Sequence, residues 1–361
     1  MEFTPLPDGV PVAQLQTIDM CCLRDGAEAE VVRLVAACRK DGFFYLDIRG
    51  MADLAPVVEN MFRLDRKLFD LPDDEKMKYD IDSNVDALSR MKLNGYKPVG
   101  RNFGGIQGMR DGFESYAIPN KGVAGLENID FRRPAVVNEF MPTLQQFSNA
   151  VAEAARVIFT SLSRALRLPP GRGFEDVHRA SEPKPDIIRL LKYHAQPLDE
   201  RGALHTPHTD LGSLTFLFAS QAGLQVLQSS ASSELDNSKK DRQNNDWRWV
   251  EPRAGHIVVN LGDGMAVLSN GYLHSCLHLV APPSGRAMPE RYSFAYLMRA
   301  EDATVMTGMD SPLFPPAAAV DRELYTSGEW IQRKFGMLRG NFKKPNQDAV
   351  LTGRPGFRVE A

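Results

Sequence analysis

Short apolar runs separated by turn-forming residues fill the segment from about residue 186 to residue 300 of this 361-residue chain. Each run is only a few residues long and rich in leucine, aromatic or β-branched side chains, which is typical of strands. The runs are IIRLLKY, LTFLFA, GLQVLQ, WRWVE, HIVVNLG, LHLVA and YSFAYLM, and glycine, proline or aspartate lies between them. Many short strands at this spacing favour a sandwich or a barrel over units that alternate one strand with one helix.

The first half of the chain has a different pattern, with apolar residues at the spacing of helices. This spacing predicts helices over 31–38, 54–68 and 144–162, the first stopping near Gly42 and the second at Pro72. Between the first two helices, the stretch GFFYLDI is typical of a strand. We therefore expect an α+β protein with a helical front half and a β-rich second half.

One domain accounts best for this arrangement, since the chain contains no internal repeat. Its predicted parts are a helical N-terminal region with short strands over 1–185, a β core over 186–300 and a C-terminal helical cap over 301–361. The segment 229–246, SSASSELDNSKKDRQNND, is polar and low in complexity. We expect it to form an extended hairpin loop between two strands.

Composition narrows the classes of partner. A net charge of −3 gives no global reason to expect nucleic acid or an anionic membrane as a partner. No apolar run is long enough to span a bilayer, and the N-terminal MEFTPLPDGVPVAQLQ lacks the basic and apolar regions of a signal peptide. The four cysteines (Cys21, Cys22, Cys38 and Cys276) are too few for a disulfide framework. We therefore expect reduced thiols in a cytoplasmic protein.

The stretch LHTPHTDLGSLTFLF, residues 204–218, places two histidines and an aspartate just before an apolar run. His208 and Asp210 are two residues apart, so on a strand both side chains point to the same side and can reach one ion. Two histidines and one carboxylate occupy one face of an iron ion and leave the opposite positions open. His205 is not expected to complete the site, because it would lie on the other face of the strand and Pro207 interrupts the run.

The third ligand must come from a strand distant in sequence, and His274 and His278 are the candidates. If HSCLHLVA is extended, these two residues are about 13 Å apart, so one metal ion cannot bind both. We favour His278 because it lies within a leucine-rich and β-branched stretch. The resulting prediction is a metal site at His208, Asp210 and His278.

A receptor for a carboxylate follows thirteen residues after His278, in the stretch RYSFAYLM. Arg291 and Ser293 share one face of this strand, expected to be the barrel interior, while Tyr292 faces the other way. An arginine that faces an interior is costly unless an anion meets it. A guanidinium fork beside a hydroxyl suits a carboxylate, so we predict an acid-binding site in the same β-rich half.

The order of these motifs, H-x-D, then a distal histidine, then R-x-S, resembles the iron(II)/2-oxoglutarate-dependent dioxygenases of the isopenicillin N synthase-like family. Similar pieces are HTDLGSLTFLF, GLQVL, VVNLGDGMAVLSNGYLHSCLHLV and RYSFAYLM in the second half, and CRKDGFFYL, KLFDLPDDEK and NGYKPVGR in the first. The resemblance implies a double-stranded β-helix core (a jelly-roll, cupin-like fold) flanked by helices. It also implies iron(II) as the metal, 2-oxoglutarate as the cosubstrate and O2 as the oxidant.

Carried over by position, the resemblance implies that His208, Asp210 and His278 bind iron. It implies that Arg291 and Ser293 hold the distal carboxylate of 2-oxoglutarate.

Further binding residues follow from the same resemblance. Tyr193 in LLKYHAQP matches a family tyrosine that often contacts cosubstrate or substrate, although His194 stands where that tyrosine is usually followed by proline. In the NGYKPVGRNF segment, which approaches the substrate in the family, the candidates are Tyr96, Arg101 and Phe103. His274 in SNGYLH is a candidate for the rim of the substrate pocket.

The implied reaction couples the conversion of 2-oxoglutarate to succinate and carbon dioxide with the oxidation of a C–H bond in a small organic molecule. Hydroxylation is the default outcome, and desaturation, cyclisation or ring expansion begin in the same way. A place in secondary metabolism is the family-level expectation.

Two alternatives remain open from the sequence. The first is an oxidase of the isopenicillin N synthase type, which also has R-x-S but uses no 2-oxo acid; its C-terminal tail reaches the metal through a glutamine, whereas this chain ends RPGFRVEA. The second is a non-catalytic or zinc-bound barrel that serves as a binding module, because zinc also accepts histidine and carboxylate ligands.

Overall fold

The computed structural model describes most of the chain in separate stretches. These are residues 8–51, 53–83, 93–101, 111–126, 131–195, 205–228, 247–281, 289–316 and 324–338, together with Phe3 and Leu6. The predicted hairpin loop over 229–246 lies outside the described residues. Within the stretches above, none of the helices has the length and apolar composition needed to cross a membrane.

Helices occupy the segments where apolar spacing predicts them, and short ones lie between them. In chain order they are α1 Met20–Arg24, α2 Glu28–Lys40, α3 Leu54–Phe69, α4 Asp73–Met77, α5 Asn120–Val123, α6 Ala135–Glu139, α7 Met141–Ala165, α8 Asp263–Leu268 and α9 Ser327–Leu338. A 3₁₀ helix at Glu175–Val177 follows α7. Helix α3 ends before Pro72, as predicted, because a proline disfavours helical backbone in the residue that precedes it.

The strands are short, as the sequence predicts. They are β1 Thr17–Asp19, β2 Phe43–Asp47, β3 Gly95–Lys97, β4 Phe113–Pro119, β5 Ile187–Tyr193, β6 His205–His208, β7 Leu214–Ala219, β8 Leu224–Leu227, β9 Trp247–Trp249, β10 His256–Leu261, β11 His278–Val280 and β12 Arg291–Met298.

These strands form two sheets. The larger sheet has eight strands in the order β1-β2-β10-β7-β12-β5-β4-β3, and the smaller has four in the order β6-β11-β8-β9. The β1–β2 pair is parallel and the other named pairs are antiparallel. Strands from the first half of the chain therefore extend both edges of a sheet whose centre comes from the second half.

The outer face of the larger sheet packs against helices. Phe294 of β12 stacks on Phe218 of β7 with ring centroids 4.8 Å apart, and Phe62 of α3 meets Phe294 edge-on at 4.8 Å. Phe147 of α7 contacts both sheet residues. These side chains belong to the main hydrophobic core, in which burial of aromatic surface stabilises the fold.

The inner face of the larger sheet packs against the smaller sheet. Tyr45, Leu191 and Tyr193 from the larger sheet form a second core with Val226 of β8 and Val280 of β11. This face alternates apolar residues with polar ones, unlike the outer face. The space between the two sheets is where the predicted metal ligands lie.

Candidate active site

The predicted metal ligands form one cluster between the sheets. His208, Asp210 and His278 each offer one ligand atom, and these atoms lie within 4.8 Å of one another. The Nε2 atoms of both histidines are 3.8 Å from Oδ1 of Asp210. The side chains are 18%, 11% and 9% exposed, in that order, so the cluster is sheltered but reachable from solvent.

Strand pairing brings the two histidines together. His208 on β6 lies directly opposite His278 on β11, with ring centroids 4.3 Å apart. The spacing of His208 and Asp210 predicts that both lie on one strand. Strand β6 ends at His208, however, so Asp210 lies in the loop before β7. Pro207 lies within β6 and does not interrupt it. The three side chains do converge, but the loop brings Asp210 to the histidines instead of strand alternation.

Two side chains on the inner face orient the carboxylate of Asp210. The hydroxyl of Thr215 donates to Oδ2 at 2.6 Å, and the amide of Asn260 donates to the same oxygen at 2.8 Å. These bonds leave Oδ1 turned toward the histidines. Burial by itself would raise the pKa of Asp210, but the two histidines and these hydrogen bonds hold the pKa below its ordinary value. The carboxylate is therefore kept ionised, as a metal ligand must be.

The ring of His278 is oriented in a comparable way. Its Nδ1 lies 3.2 Å from the carbonyl of Cys276 and donates to it, and Phe43 packs edge-on against the ring at 5.3 Å. A histidine that donates through Nδ1 carries its lone pair on Nε2, which is the atom that faces Asp210.

Asp263, at the start of α8, ties the two ligand-bearing segments together. Its carboxylate accepts hydrogen bonds from the hydroxyls of Thr209 at 3.1 Å and Ser275 at 2.7 Å. The loop around Asp210 also approaches Gly262 so closely that an added Cβ would lie 2.2 Å from the carbonyl of Gly212. A glycine is thus required where the two segments meet.

This donor set suits iron(II). Two imidazole nitrogens and one carboxylate oxygen are the ligand combination typical of non-haem iron oxygenases. The ligand atoms are close enough for one ion to take all three. The hydrogen bonds to Asp210 and His278 supply the outer contacts that metal ligands normally have.

Arg291 is among the most completely buried large side chains of the structure, with 1% of its surface exposed. Its Nη1 donates to the hydroxyl of Ser293 at 3.0 Å, and its Nε donates to the carbonyl of Gln221 at 3.3 Å. Tyr292 faces the other way and packs in the outer core. Burial lowers the pKa of Arg291, but a guanidinium remains charged at neutral pH.

Tyr193 lies beside this guanidinium. It pairs with Arg291 across β5 and β12, and the guanidinium carbon is 5.0 Å from the centre of its ring. A Cβ at Gly223 would lie 3.2 Å from the Nε of Arg291, so a larger residue at this position would crowd the arginine side chain.

A pocket open to solvent adjoins Arg291 between the two sheets. Its lining residues are Tyr45, Leu217, Ala219, Gln221, Leu224, Val250, Glu251, Pro252, Arg253, His256, Val258 and Arg291. The arginine therefore borders a solvent-open space between the two sheets.

The predicted substrate residue Tyr96 turns toward the main core. Its hydroxyl donates to Oε2 of Glu114 at 2.7 Å, which also accepts a bond from Lys76 at 2.8 Å, and its ring packs in the outer core. The next residue, Lys97, turns inward, with its ammonium 3.7 Å from the centre of the Phe113 ring. Tyr96 and Lys97 turn to opposite sides because neighbouring strand residues alternate, and the substrate contact of Tyr96 stays a prediction.

Two of the other three predicted substrate residues lie within the described part of the chain. Arg101 forms ion pairs with Asp80, at 2.7 Å, and with Asp82. His274 is half-buried, does not belong to the metal-binding group, and donates its backbone N–H to the carbonyl of Cys38 at 3.0 Å. Phe103 lies outside the described residues. Substrate contacts for these three residues stay predictions.

Known families match both halves of the chain. The model of the 2OG-Fe(II) oxygenase superfamily matches residues 185–300, and the model described as "non-haem dioxygenase in morphine synthesis N-terminal" matches residues 10–127. The 2-oxoglutarate-dependent dioxygenase gloE of Glarea lozoyensis is 31% identical, and the match covers 94% of this chain and 92% of that protein. The chain belongs to the 2OG-Fe(II) oxygenase superfamily.

Other proteins are similar over nearly the whole chain. The 2-oxoglutarate-dependent dioxygenase frbH of Dothideomycetidae sp. is 31% identical, covering 96% of this chain and 97% of that one. A full-length Neurospora crassa protein, solved with alpha-KG and thymine, is 22% identical with a TM-score of 0.65, covering 92% and 98% of the two chains. A 2OG-Fe(II) oxygenase family protein from Caulobacter crescentus gives a TM-score of 0.68 at 20% identity, covering 90% and 99%.

These matches confirm three predictions from the sequence. The core is the double-stranded β-helix of the superfamily, the protein is an oxidoreductase of the dioxygenase class, and its cofactors are iron(II) and 2-oxoglutarate. They do not support the alternatives of an oxidase that uses no 2-oxo acid or of a non-catalytic barrel.

Sequence reasoning missed the residues that orient the ligands, namely Thr215, Asn260 and Asp263. For two of these residues the sequence does contain a signal. Thr215 and Asn260 are polar residues inside the apolar runs LTFLFA and HIVVNLG, where a polar side chain needs a buried partner. Nothing comparable marks Asp263, because its role depends on two loops that only the fold brings together.

Proposed function

We propose that His208, Asp210 and His278 hold the iron of this dioxygenase and that Arg291 and Ser293 hold the distal carboxylate of 2-oxoglutarate. The observation that carries the proposal is the meeting of the three donors between the two sheets. The buried Arg291–Ser293 pair on the same inner face supports the second part.

The side chains have distinct tasks in this proposal. Thr215 and Asn260 keep one oxygen of Asp210 occupied, so the other is presented to the metal. Arg291 compensates the charge of the cosubstrate, and Tyr193 packs beside its guanidinium. When bound, iron(II) with 2-oxoglutarate and dioxygen supplies the oxidising power that breaks a substrate C–H bond.

The substrate is a small organic molecule, and hydroxylation is the default outcome. Support comes from the Neurospora crassa protein, which has been solved with thymine, a small molecule, in a similar fold. Desaturation, cyclisation and ring expansion use the same ligands. We further propose a role in secondary metabolism and a cytoplasmic location, the latter because the four cysteines are free.

Reconstitution under anaerobic conditions tests the ligand assignment. Iron(II) and 2-oxoglutarate added together should produce a visible charge-transfer band, and dioxygen should then release succinate. The variant His278→Ala should lose both signals. The variant Arg291→Gln should still bind iron but require much more 2-oxoglutarate to develop the band.

A matched control is His194→Ala, which removes an imidazole outside the metal cluster whose Nε2 lies 2.9 Å from Glu114 and whose side chain is 42% exposed. It should keep the band and the succinate signal. Normal iron binding by His278→Ala, or full activity of the wild-type protein without 2-oxoglutarate, would contradict the proposal.

A further inference from the structure

His178 is a buried histidine outside the metal cluster, and both of its ring nitrogens have a partner. Its surface is 6% exposed. Nδ1 lies 2.6 Å from the carbonyl oxygen of Phe174, and Nε2 lies 2.6 Å from the hydroxyl oxygen of Ser213. These partners are 4 and 35 residues away in the sequence, so the ring links two separate segments of the chain.

The two contacts determine which ring nitrogen of His178 carries the hydrogen. A carbonyl oxygen can only accept, so Nδ1 donates to Phe174 and Nε2 accepts from the hydroxyl of Ser213. Burial lowers the pKa of the ring to about 3. The ring is therefore neutral near pH 7, as this pair of hydrogen bonds requires.

The position of the His178 ring is fixed by segments that carry no metal ligand. The ring stacks on Phe159 of α7, with centroids 4.2 Å apart and planes inclined by 25°. The backbone beside it is also held, because the carbonyl of Val177 accepts from the N–H of Glu301 at 2.9 Å. The ammonium of Lys184 donates to the carbonyl of His178 at 3.3 Å. The imidazole is thus a fixed point for whatever it contacts.

Ser213 is the last residue of the loop that carries Asp210. This loop runs from the end of β6 at His208 to the start of β7 at Leu214. Ser213 is 1% exposed, and its backbone N–H donates to the carbonyl of Met298 at 2.8 Å. Its side chain adds the bond to His178, so the end of the loop is held by backbone and side chain together.

Helix α8 holds the same loop from another segment. The N–H of Asp263 donates to the carbonyl of Asp210 at 2.8 Å, and the N–H of Gly264 donates to the carbonyl of Gly212 at 2.9 Å. A Cβ at Gly264 would lie 3.2 Å from the hydroxyl oxygen of Ser213, so this hydroxyl has little freedom to move. The loop is therefore fixed by α8 and by the segment that follows α7.

We propose that His178 is a positioning residue for the metal site: through Ser213 it fixes the loop that presents Asp210, so iron affinity depends on the Nε2 contact. Asp210 lies in a loop, and its place therefore depends on what holds that loop. Removing a contact that orients a metal ligand usually weakens metal binding by about tenfold to a hundredfold. The inference rests on the proposed function, which assigns Asp210 to the iron.

Two substitutions of His178 separate its two contacts. The amide of an asparagine can replace Nδ1, and the amide of a glutamine can replace Nε2, because the two side chains differ by one methylene group. His178→Asn should weaken iron(II) binding about tenfold, whereas His178→Gln should stay within about threefold of the wild type. The melting temperature should fall in both variants, since each loses the stacking on Phe159 and one hydrogen bond. Iron(II) dissociation constants are measured anaerobically on the full chain by competition with a chelator.

Ser213→Ala removes the same contact from the other side. It should weaken iron binding about as much as His178→Asn does, and the double variant should be no weaker than either single variant, because both changes remove one interaction. The matched control is Ser148→Ala, which removes a buried hydroxyl of α7 that donates to Asn120 at 2.6 Å. This control should lower the melting temperature and leave the iron affinity as in the wild type.

Three results would overturn the proposal. These are an equal iron affinity of His178→Asn and His178→Gln, a wild-type iron affinity in Ser213→Ala, and losses in the two single variants that add up in the double variant. If neither His178 variant folds, Ser213→Ala decides by itself. Failure of the proposed function is distinguishable, because the wild-type protein would then form no visible band with iron(II) and 2-oxoglutarate.

Discussion

The inner and outer faces of the larger sheet come from the same strands and have opposite chemistry. On β12, Arg291 and Ser293 turn inward, whereas Tyr292, Phe294 and Tyr296 turn outward into the main core. The outer face buries aromatic surface against helices, which stabilises the fold. The inner face buries polar and charged groups, which stabilise nothing unless a ligand or another polar group meets them.

Successive side chains of a strand point to opposite faces, so residues that stabilise the fold alternate with residues that can bind ligands. A substitution on the outer face should change the free energy of unfolding and leave ligand binding in the folded protein intact. A substitution on the inner face should do the reverse. The following predictions test that separation, from the largest expected effect to the smallest.

Asp210→Asn removes one charge from the metal cluster while keeping the shape of the side chain. Succinate formation should fall by roughly a thousandfold, because a bound metal supplies several kcal/mol and each 1.4 kcal/mol is a factor of about ten. Iron content after desalting should fall in parallel, and the melting temperature should not. Thr215→Val, which removes one hydrogen bond to the same carboxylate, should lower iron affinity by roughly tenfold. Full iron occupancy in Asp210→Asn would contradict the assignment.

Phe294→Ala tests the outer face. This ring is fully buried and contacts Phe62, Phe147 and Phe218, so its loss should cost about 3–5 kcal/mol in the free energy of unfolding. Chemical denaturation measures this, and the 2-oxoglutarate dissociation constant of the folded variant should be unchanged. Val32→Ala, at an apolar residue that is 63% exposed, should stay within about 0.5 kcal/mol. A large change in ligand binding with little loss of stability would break the comparison.

Arg291→Gln tests the inner face of the same strand. The 2-oxoglutarate dissociation constant should rise roughly tenfold to a hundredfold, since the hydrogen bonds to a charged partner are lost. Titration of the visible band reports this, and iron binding without 2-oxoglutarate should remain as in the wild type. An unchanged dissociation constant would remove Arg291 from the cosubstrate site.

Asp65→Asn addresses an acidic group on the helical side. Asp65 of α3 is fully buried, and neither of its carboxylate oxygens makes a hydrogen bond with the described residues. Burial raises its pKa well above the ordinary value of 3.8, despite the nearby charges of Arg66 and Arg291. A raised pKa in the folded state means that the folded protein binds more protons, so stability declines as pH rises above the unfolded pKa.

The variant should therefore match the wild type near pH 4 and be more stable by about 1 kcal/mol at pH 8. Unfolding curves across this range measure the difference. A difference between the two proteins that does not change with pH would show that Asp65 stays ionised in the folded protein.

Much of the fold was predictable because it depends on local regularities. The periods of two and 3.6 predict α2, α3, α7 and the strands of the second half. The order of H-x-D, distal histidine and R-x-S predicts the double-stranded β-helix and the family, and His208, Asp210 and His278 do converge.

Two features of the site could not be predicted from the sequence, and they have one common cause. Asp210 lies in a loop, and Tyr96 lies outward while Lys97 lies inward, because strand ends and register depend on pairing with distant segments. Sequence alone supplied the identity of the proposed ligand side chains and the reaction class of the protein. Only the tertiary structure decided which of them meet and which face each strand residue takes. The physical reason is that side-chain chemistry is a property of a residue, whereas proximity is a property of long-range strand pairing.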